Sequence, residues 1–132
     1  MADQAPAVKA SDLTKTYGEG DTEVRALRGI SFAIHPGELA VILGPSGSGK
    51  TTLLNQIGAL EEPTAGSIAA AGVDLGSLDE AQRTDYRLNF VGFVFQFVNL
   101  VPTLTARENV ALIAEMTGDA GVGRTDVGLE QV

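Results

Sequence analysis

The chain has 132 residues, 44% of them hydrophobic, and a formal net charge of -8. That length supports one globular domain with a real core, and the acidic balance argues against a nucleic-acid surface, which neutralises phosphates with clustered Lys and Arg. The absence of cysteine excludes disulfides, thiolate metal sites and a cysteine nucleophile, and permits a reducing compartment.

No N-terminal segment has the basic start and apolar core of a secretory signal. The longest apolar tract, from Val91 to Pro102, is broken by Gln96 and Asn99 and falls short of the ~20 residues that a spanning helix needs. A cytoplasmic location is therefore expected, with any membrane link made through a partner.

Residues 1–7 are small and polar and are expected to fray. Val8 to Tyr17 reads as a strand ending in the turn Gly18-Glu19-Gly20. Thr22 to Arg28 alternates weakly. Ile30, Phe32 and Ile34 then alternate cleanly with Ser31, Ala33 and His35, which predicts an antiparallel segment with one buried face. His35, the only histidine, reads as a solvated turn residue before Pro36-Gly37. Residues 38–43 are, after Glu38, apolar at successive positions, as in a parallel strand covered on both faces, and are predicted to be the central strand. A helix is expected over about 50–60, burying Leu53, Leu54, Ile57 and Leu60 against that strand.

Glu61-Glu62-Pro63 stops this helix, and Thr64-Ala65-Gly66 turns the chain into a short strand over 67–71. Ser77 with Glu80 resembles a capping box that opens a helix to about Leu88. Val91 to Phe95 has the length and apolarity of another strand. Thr105 with Glu108 is a second capping-box pattern, for a helix through about Met116 with Val110, Ile113 and Ala114 facing inward. Beyond Thr117, glycines scattered among Asp, Thr and Arg predict a poorly ordered tail over 118–132.

The chemistry concentrates at Gly44-Pro45-Ser46-Gly47-Ser48-Gly49-Lys50-Thr51. The G-x-x-x-x-G-K-[ST] spacing stands between an apolar run and a helical pattern, the context in which it forms a phosphate-binding P-loop. Its glycines let backbone N–H groups converge on one point, and the following helix N-terminus adds partial positive charge. Lys50 can lie along the loop and reach β- and γ-phosphates, the Thr51 hydroxyl can ligate Mg²⁺, and Thr52 can add a bond to an α-phosphate. Exposed charges are screened beyond about 8 Å at physiological salt, so the acidic net charge does not oppose an anion held locally. A ligand-free glycine-rich turn between strand and helix is the alternative.

Other stretches select among P-loop families. Leu13-Thr14-Lys15-Thr16-Tyr17, Val24 to Phe32, Pro36-Gly37-Glu38 and Glu62-Pro63-Thr64-Ala65-Gly66 closely resemble the start of an ABC-transporter ATP-binding subunit, and Val94-Phe95-Gln96-Phe97 looks like that family's Q-loop. The wording from Asn99 to Val110 is similar to the branch serving lipoprotein release and macrolide-type export. The resemblance covers roughly residues 8–116. It implies an α/β fold: a P-loop NTPase (RecA-like) core with an N-terminal antiparallel β subdomain. Tyr17 then matches the aromatic that stacks on adenine, against the alternative of a tyrosine packing at a sheet edge. Gln96 matches the residue that contacts Mg²⁺ and the attacking water, against a satisfied polar residue at a strand end. Phe97, Val98 and Leu100 fall where the family receives a coupling helix, and core packing explains them equally well.

The resemblance also implies ATP and Mg²⁺ as ligands, an integral membrane permease as partner, a homodimer of ATP-binding subunits, no nucleic acid, and a place on the inner face of the membrane. Lys50 and Gln96 are the expected catalytic residues. No LSGGQ-like signature and no apolar run into an Asp-Glu pair occur in these residues, since Asp79-Glu80 follows Gly76-Ser77-Leu78 and reads as a cap. The expectation is a nucleotide-binding domain over 8–117 truncated before its signature and Walker B segments, binding MgATP with little turnover. A naturally short, non-catalytic nucleotide-binding module is the alternative; a small-molecule kinase is disfavoured because no lid or acceptor site is found. Apolar faces at 39–43 and 91–95 are then expected to lack cover and to favour association.

Overall fold

The computed structural model describes residues 4–116, so the tail over 118–132 lies outside the described residues. Contacts divide the chain into two units, Met1–Thr84 and Asp85–Val132.

In the first unit, strands β1 (Val8–Tyr17) and β2 (Val24–Ile34) pair antiparallel across the turn containing Gly18 and Gly20. Strand β3 (Ala65–Ala70) pairs antiparallel on the other side of β1, and the short β4 (Val73–Asp74) extends it, giving the order β2-β1-β3-β4. Along β1 the register shifts between Ala10 and Leu13, with Asp12 at φ 47 and its N–H donating to Ser31 Oγ at 2.8 Å. This bulge adds a residue and changes the alternation phase, so Ala10 and Leu13, an odd number of positions apart, both point inward. Leu13, Leu27 and Ile68 are the centre of the core, each at 1% exposure or less; burying such a side chain contributes about 1.5–3 kcal/mol. The alternation expected at Ile30, Phe32 and Ile34 is present, these being less exposed than Ser31 and Ala33.

Helix α1 (Lys50–Ile57) packs on β2 and β3. It ends before the expected residue 60 because Ala59 takes φ 52, while its N–H bonds to the Gln56 carbonyl and the Leu60 N–H to the Asn55 carbonyl. That arrangement closes a helix through a left-handed residue. The expected apolar face is corrected too: Leu53 is buried and Ile57 partly so, but Leu54 and Leu60 are 55% and 47% exposed, while Gln56 is fully buried. Gln56 Nε2 donates to the Glu62 carbonyl at 3.2 Å, which compensates part of its desolvation.

The predicted central strand is the larger correction. Residues 38–43 form no ladder with any described residue, and Leu39, Val41 and Leu43 are 93%, 68% and 88% exposed. A strand is defined by hydrogen bonds to its neighbours, so an apolar run without such neighbours is not one, whatever its side chains favour.

Helix α2 (Glu80–Phe90) straddles the division between the units. Its capping box is shifted from the expected Ser77–Glu80 pair. The Gln82 N–H donates to Asp79 Oδ1 at 2.8 Å and the Asp79 N–H to Gln82 Oε1 at 2.9 Å, while Ser77 ends a 3-10 turn over Leu75–Ser77. Asp79 caps better than Ser77 because its carboxylate also meets the positive end of the helix dipole.

In the second unit, Val91 to Phe95 is not a strand among the described residues, for the same want of a ladder. Phe93 and Phe95 instead stack on each other with centroids 5.8 Å apart. Helix α3 (Ala106–Met116) opens on the expected box: the Glu108 N–H donates to Thr105 Oγ1 at 3.2 Å, and the Thr105 N–H to Glu108 Oε2 at 2.7 Å. Of its expected inner face, Ala114 is partly buried, whereas Val110 and Ile113 are 50% and 57% exposed.

Candidate functional site

The site is built where β2 passes the start of α1. Gly49 is the residue before the helix, at φ 96 and ψ 8, and no side chain caps the helix there. A Cβ on Gly49 would lie 2.5 Å from the Ala26 carbonyl oxygen, so the close approach of loop to strand and the left-handed backbone both require glycine. The Ser48 N–H closes a turn onto the Pro45 carbonyl at 3.2 Å, and the first helical bond runs from the Leu53 N–H to the Gly49 carbonyl at 2.9 Å. The amides of Lys50, Thr51 and Thr52 consequently have no acceptor among the described residues. Three uncapped donors at one helix end, ahead of the aligned peptide dipoles, suit an anion.

Lys50 lies along this loop. Its Nζ donates to the carbonyls of Gly44 and Pro45, the second at 2.7 Å, and lies 3.4 Å from Ser48 Oγ. No carboxylate among the described residues is paired with it, so its charge remains available to a ligand. Gly44 and Ser48 approach so closely that a Cβ on Gly44 would meet Ser48 Oγ at 2.6 Å.

A cleft of about 760 Å³ opens beside the loop, lined on that side by Ser46, Gly47 and Gly49 to Thr52 and on the other by Tyr17, Ala26 and the residues around them. The sequence-expected Tyr17 and the loop are thus brought to one cavity. Tyr17 is half-buried at the end of β1; its hydroxyl donates to Glu61 Oε2, and Lys15 Nζ stands 5.2 Å over its ring. Burial, foremost, and the Glu61 carboxylate push the phenol's pKa up, while the nearby Thr52 side chain pulls it down. Gln96 is an exposed residue of the second unit, after α2.

Sequence reading missed Glu23, Val24, Arg25 and Arg28 as cleft residues. A signal for one of them was present: in an antiparallel hairpin turning over 18–23, Tyr17 faces Val24, as the register confirms. Arg25 Nε pairs with Glu23 Oε1 at 2.8 Å on this wall.

The donor set fits a polyphosphate with a hard cation. Among the described residues no three His, Cys, Asp or Glu side chains come together to hold a metal. A cation at the Thr51 hydroxyl would need oxygens from the ligand itself, which is how Mg²⁺ is held with substrate phosphates.

A family model described as ABC transporter matches residues 27–132. The lipoprotein-releasing system ATP-binding protein LolD of Alcanivorax borkumensis is 43% identical over 119 residues, covering 90% of this chain and 52% of LolD. The macrolide export ATP-binding/permease protein MacB of Marinobacter nauticus is 44% identical over 119 residues, with 90% and 18% covered. Among solved structures, the dimeric ATP-binding cassette MJ0796, in a post-hydrolysis state bound to ADP and Pi, is 41% identical with a TM-score of 0.84, over 93% of this chain and 54% of the cassette. The chain therefore spans about half the length of LolD and of the solved cassette.

Proposed function

The chain belongs to the ABC transporter family, and from that premise we propose that its cleft binds MgATP on behalf of an ATP-driven transporter. The observation that carries the reading is the group of amides at Lys50, Thr51 and Thr52 that no described residue caps, with an ammonium that no described carboxylate pairs beside them, in the cavity that Tyr17 walls. The loop from Gly44 to Gly49 wraps the phosphates, the first-turn amides and Lys50 hold their charge, and Tyr17 supplies a flat face for the base. Mg²⁺, when bound, would neutralise phosphate charge, with Thr51 as its ligand from this loop.

Hydrolysis and transport are proposed for the full-length assembly. Glu23 is the only carboxylate among the described residues lining the cleft, and it is engaged by Arg25. It is not a free base for an attacking water, and phosphoryl transfer depends on positioning and charge stabilisation that these residues supply only on the phosphate side. By analogy with LolD and MacB, a membrane permease is the proposed partner, and by analogy with the dimeric cassette, a second ATP-binding subunit closes the site. A cytoplasmic place on the membrane through that permease follows; no helix among the described residues is long and apolar enough to cross a membrane.

Calorimetric titration of MgATP into the chain and into Lys50→Ala tests the proposal. Loss of an uncompensated charge contact at the phosphates should weaken binding at least about tenfold; equal affinities would remove Lys50 from the role assigned to it.

A further inference from the structure

Glu61 and Glu62 lie just beyond the C-terminal end of α1, and the backbone there is pinned from several directions. The Glu62 carbonyl accepts from Lys15 Nζ at 2.7 Å and from the buried Gln56 Nε2 at 3.2 Å. The Glu62 carboxylate meets Arg83 Nη2 at 2.7 Å, and Arg83 also reaches Glu80 at 3.1 Å. The helix that begins at the phosphate loop thus ends in a clasp that fixes the position of Glu61.

Glu61 Oε2 accepts the Tyr17 hydroxyl. A hydrogen bond given by a phenolic hydroxyl lies near the ring plane, so the Glu61 carboxylate sets where the ring axis points. Lys15 Nζ covers one ring face at 5.2 Å, and Lys15 is not among the residues lining the cleft, whereas Tyr17 is.

Resting on the reading of the cleft as a nucleotide site, we infer that Glu61 is a positioning residue for nucleobase recognition. It anchors the Tyr17 hydroxyl so that the ring offers its free face to a planar base at a fixed distance from the phosphate loop. Lys15 assists by covering the other face and by its bond to the Glu62 carbonyl. Both ends of the ligand are thereby referred to one rigid element, α1, through Lys50 at its start and the 61–62 clasp at its end. Preorganisation of this kind adds affinity by removing ring motions that binding would otherwise have to freeze.

The test compares MgATP with inorganic tripolyphosphate, which has the phosphate charge and no base, by calorimetry on the full chain. Glu61→Ala and Tyr17→Phe should each weaken MgATP about five- to tenfold, the scale of one ordinary hydrogen bond acting through the ring it positions. The double variant should be no weaker than either single one, because both remove the same link. Tripolyphosphate affinity should be unchanged throughout, which also reports that the loop is still folded, and Glu61→Gln, which keeps an acceptor of equal reach, should restore most MgATP binding. In an ultraviolet pH titration, Glu61→Ala should lower the Tyr17 phenol midpoint, read as the difference from Tyr17→Phe.

Unchanged MgATP affinity in both single variants would overturn the inference. So would a Glu61→Ala loss shared equally by tripolyphosphate, since that would mean the clasp merely supports α1. If the unmodified chain bound neither ligand, the nucleotide reading of the cleft would itself fall, and this inference with it.

Discussion

Replacing Gly49 by alanine should cost more than its backbone angles alone demand. At φ 96 and ψ 8, a residue with a Cβ is strained by about 1–2 kcal/mol. The added Cβ would also sit 2.5 Å from the Ala26 carbonyl oxygen and 3.2 Å from Leu27 Cδ2. Neither neighbour can swing away, because one is strand backbone and the other belongs to a core side chain only 1% exposed. Relief therefore means moving α1 off β2, which adds about 1–3 kcal/mol. The stiffer unfolded chain offsets about 0.4–1 kcal/mol, leaving a net destabilisation of about 1–4.5 kcal/mol. Gly47→Ala is the matched comparison: its φ is +79, but nothing among the described residues lies within 4 Å of the added Cβ, so the backbone strain of about 1–2 kcal/mol and the same unfolded-chain offset apply without the steric contribution. Urea unfolding of the chain and both variants measures the difference, provided the slopes agree. A Gly49→Ala midpoint no lower than that of Gly47→Ala would refute the claim that the approach to β2 requires a glycine here.

Three further outcomes are expected. The backbone and side-chain hydrogen bonds from Thr105 hold the Glu108 carboxyl below the usual carboxylate range. Because the folded pKa is lowered, its contribution to stability is present above the unfolded value of about 4.3 and is lost as pH falls through the folded one. The α3 amides nearest Thr105 should thus lose hydrogen-exchange protection on acidification in the parent and show no such step in Glu108→Gln. Asn109 Oδ1 accepts the Val101 N–H at 2.8 Å, and its Nδ2 donates to the Val101, Leu104 and Thr105 carbonyls at 3.2, 3.2 and 2.9 Å. Asn109→Ala should free the 101–105 turn, destabilise the second unit by about 1–3 kcal/mol and speed amide exchange there; unchanged exchange would show that the turn holds itself. Finally, a contaminant-free preparation of this 132-residue chain should bind MgATP yet show negligible phosphate release, and robust turnover would mean that a base exists outside the set identified in the cleft.

Legibility from sequence varied with the range of the interactions. Strand β1 matches its expected span from Val8 to Tyr17, and the Thr105–Glu108 box opens α3 as expected. The Asp79–Gln82 cap was misread as Ser77–Glu80 because both pairs fit the same four-residue spacing, and only the path of the 3-10 turn at Leu75–Ser77 decides between them. At the site, the loop from Gly44 to Thr51 was legible as a pattern. The wall formed by Val24, Arg25 and Arg28 was not, because it depends on how two strands align.

What the amino-acid order determined alone is whatever a few neighbouring residues can enforce: a glycine-lysine turn with uncapped amides, box-capped helices, and an alternating hairpin whose two strands meet across a short turn. What tertiary structure decided is everything that needs a distant partner. The bulge at Asp12 shifts β1's inward phase, Gln56 rather than Leu54 is buried on α1, Glu61 comes under the Tyr17 hydroxyl from 44 positions away, and residues 38–43 pair in no ladder among the described residues. The physical reason is that a helix satisfies its backbone hydrogen bonds within itself, whereas a strand must find its partner elsewhere, so apolar sequence makes residues 38–43 fit to be a strand without making them one.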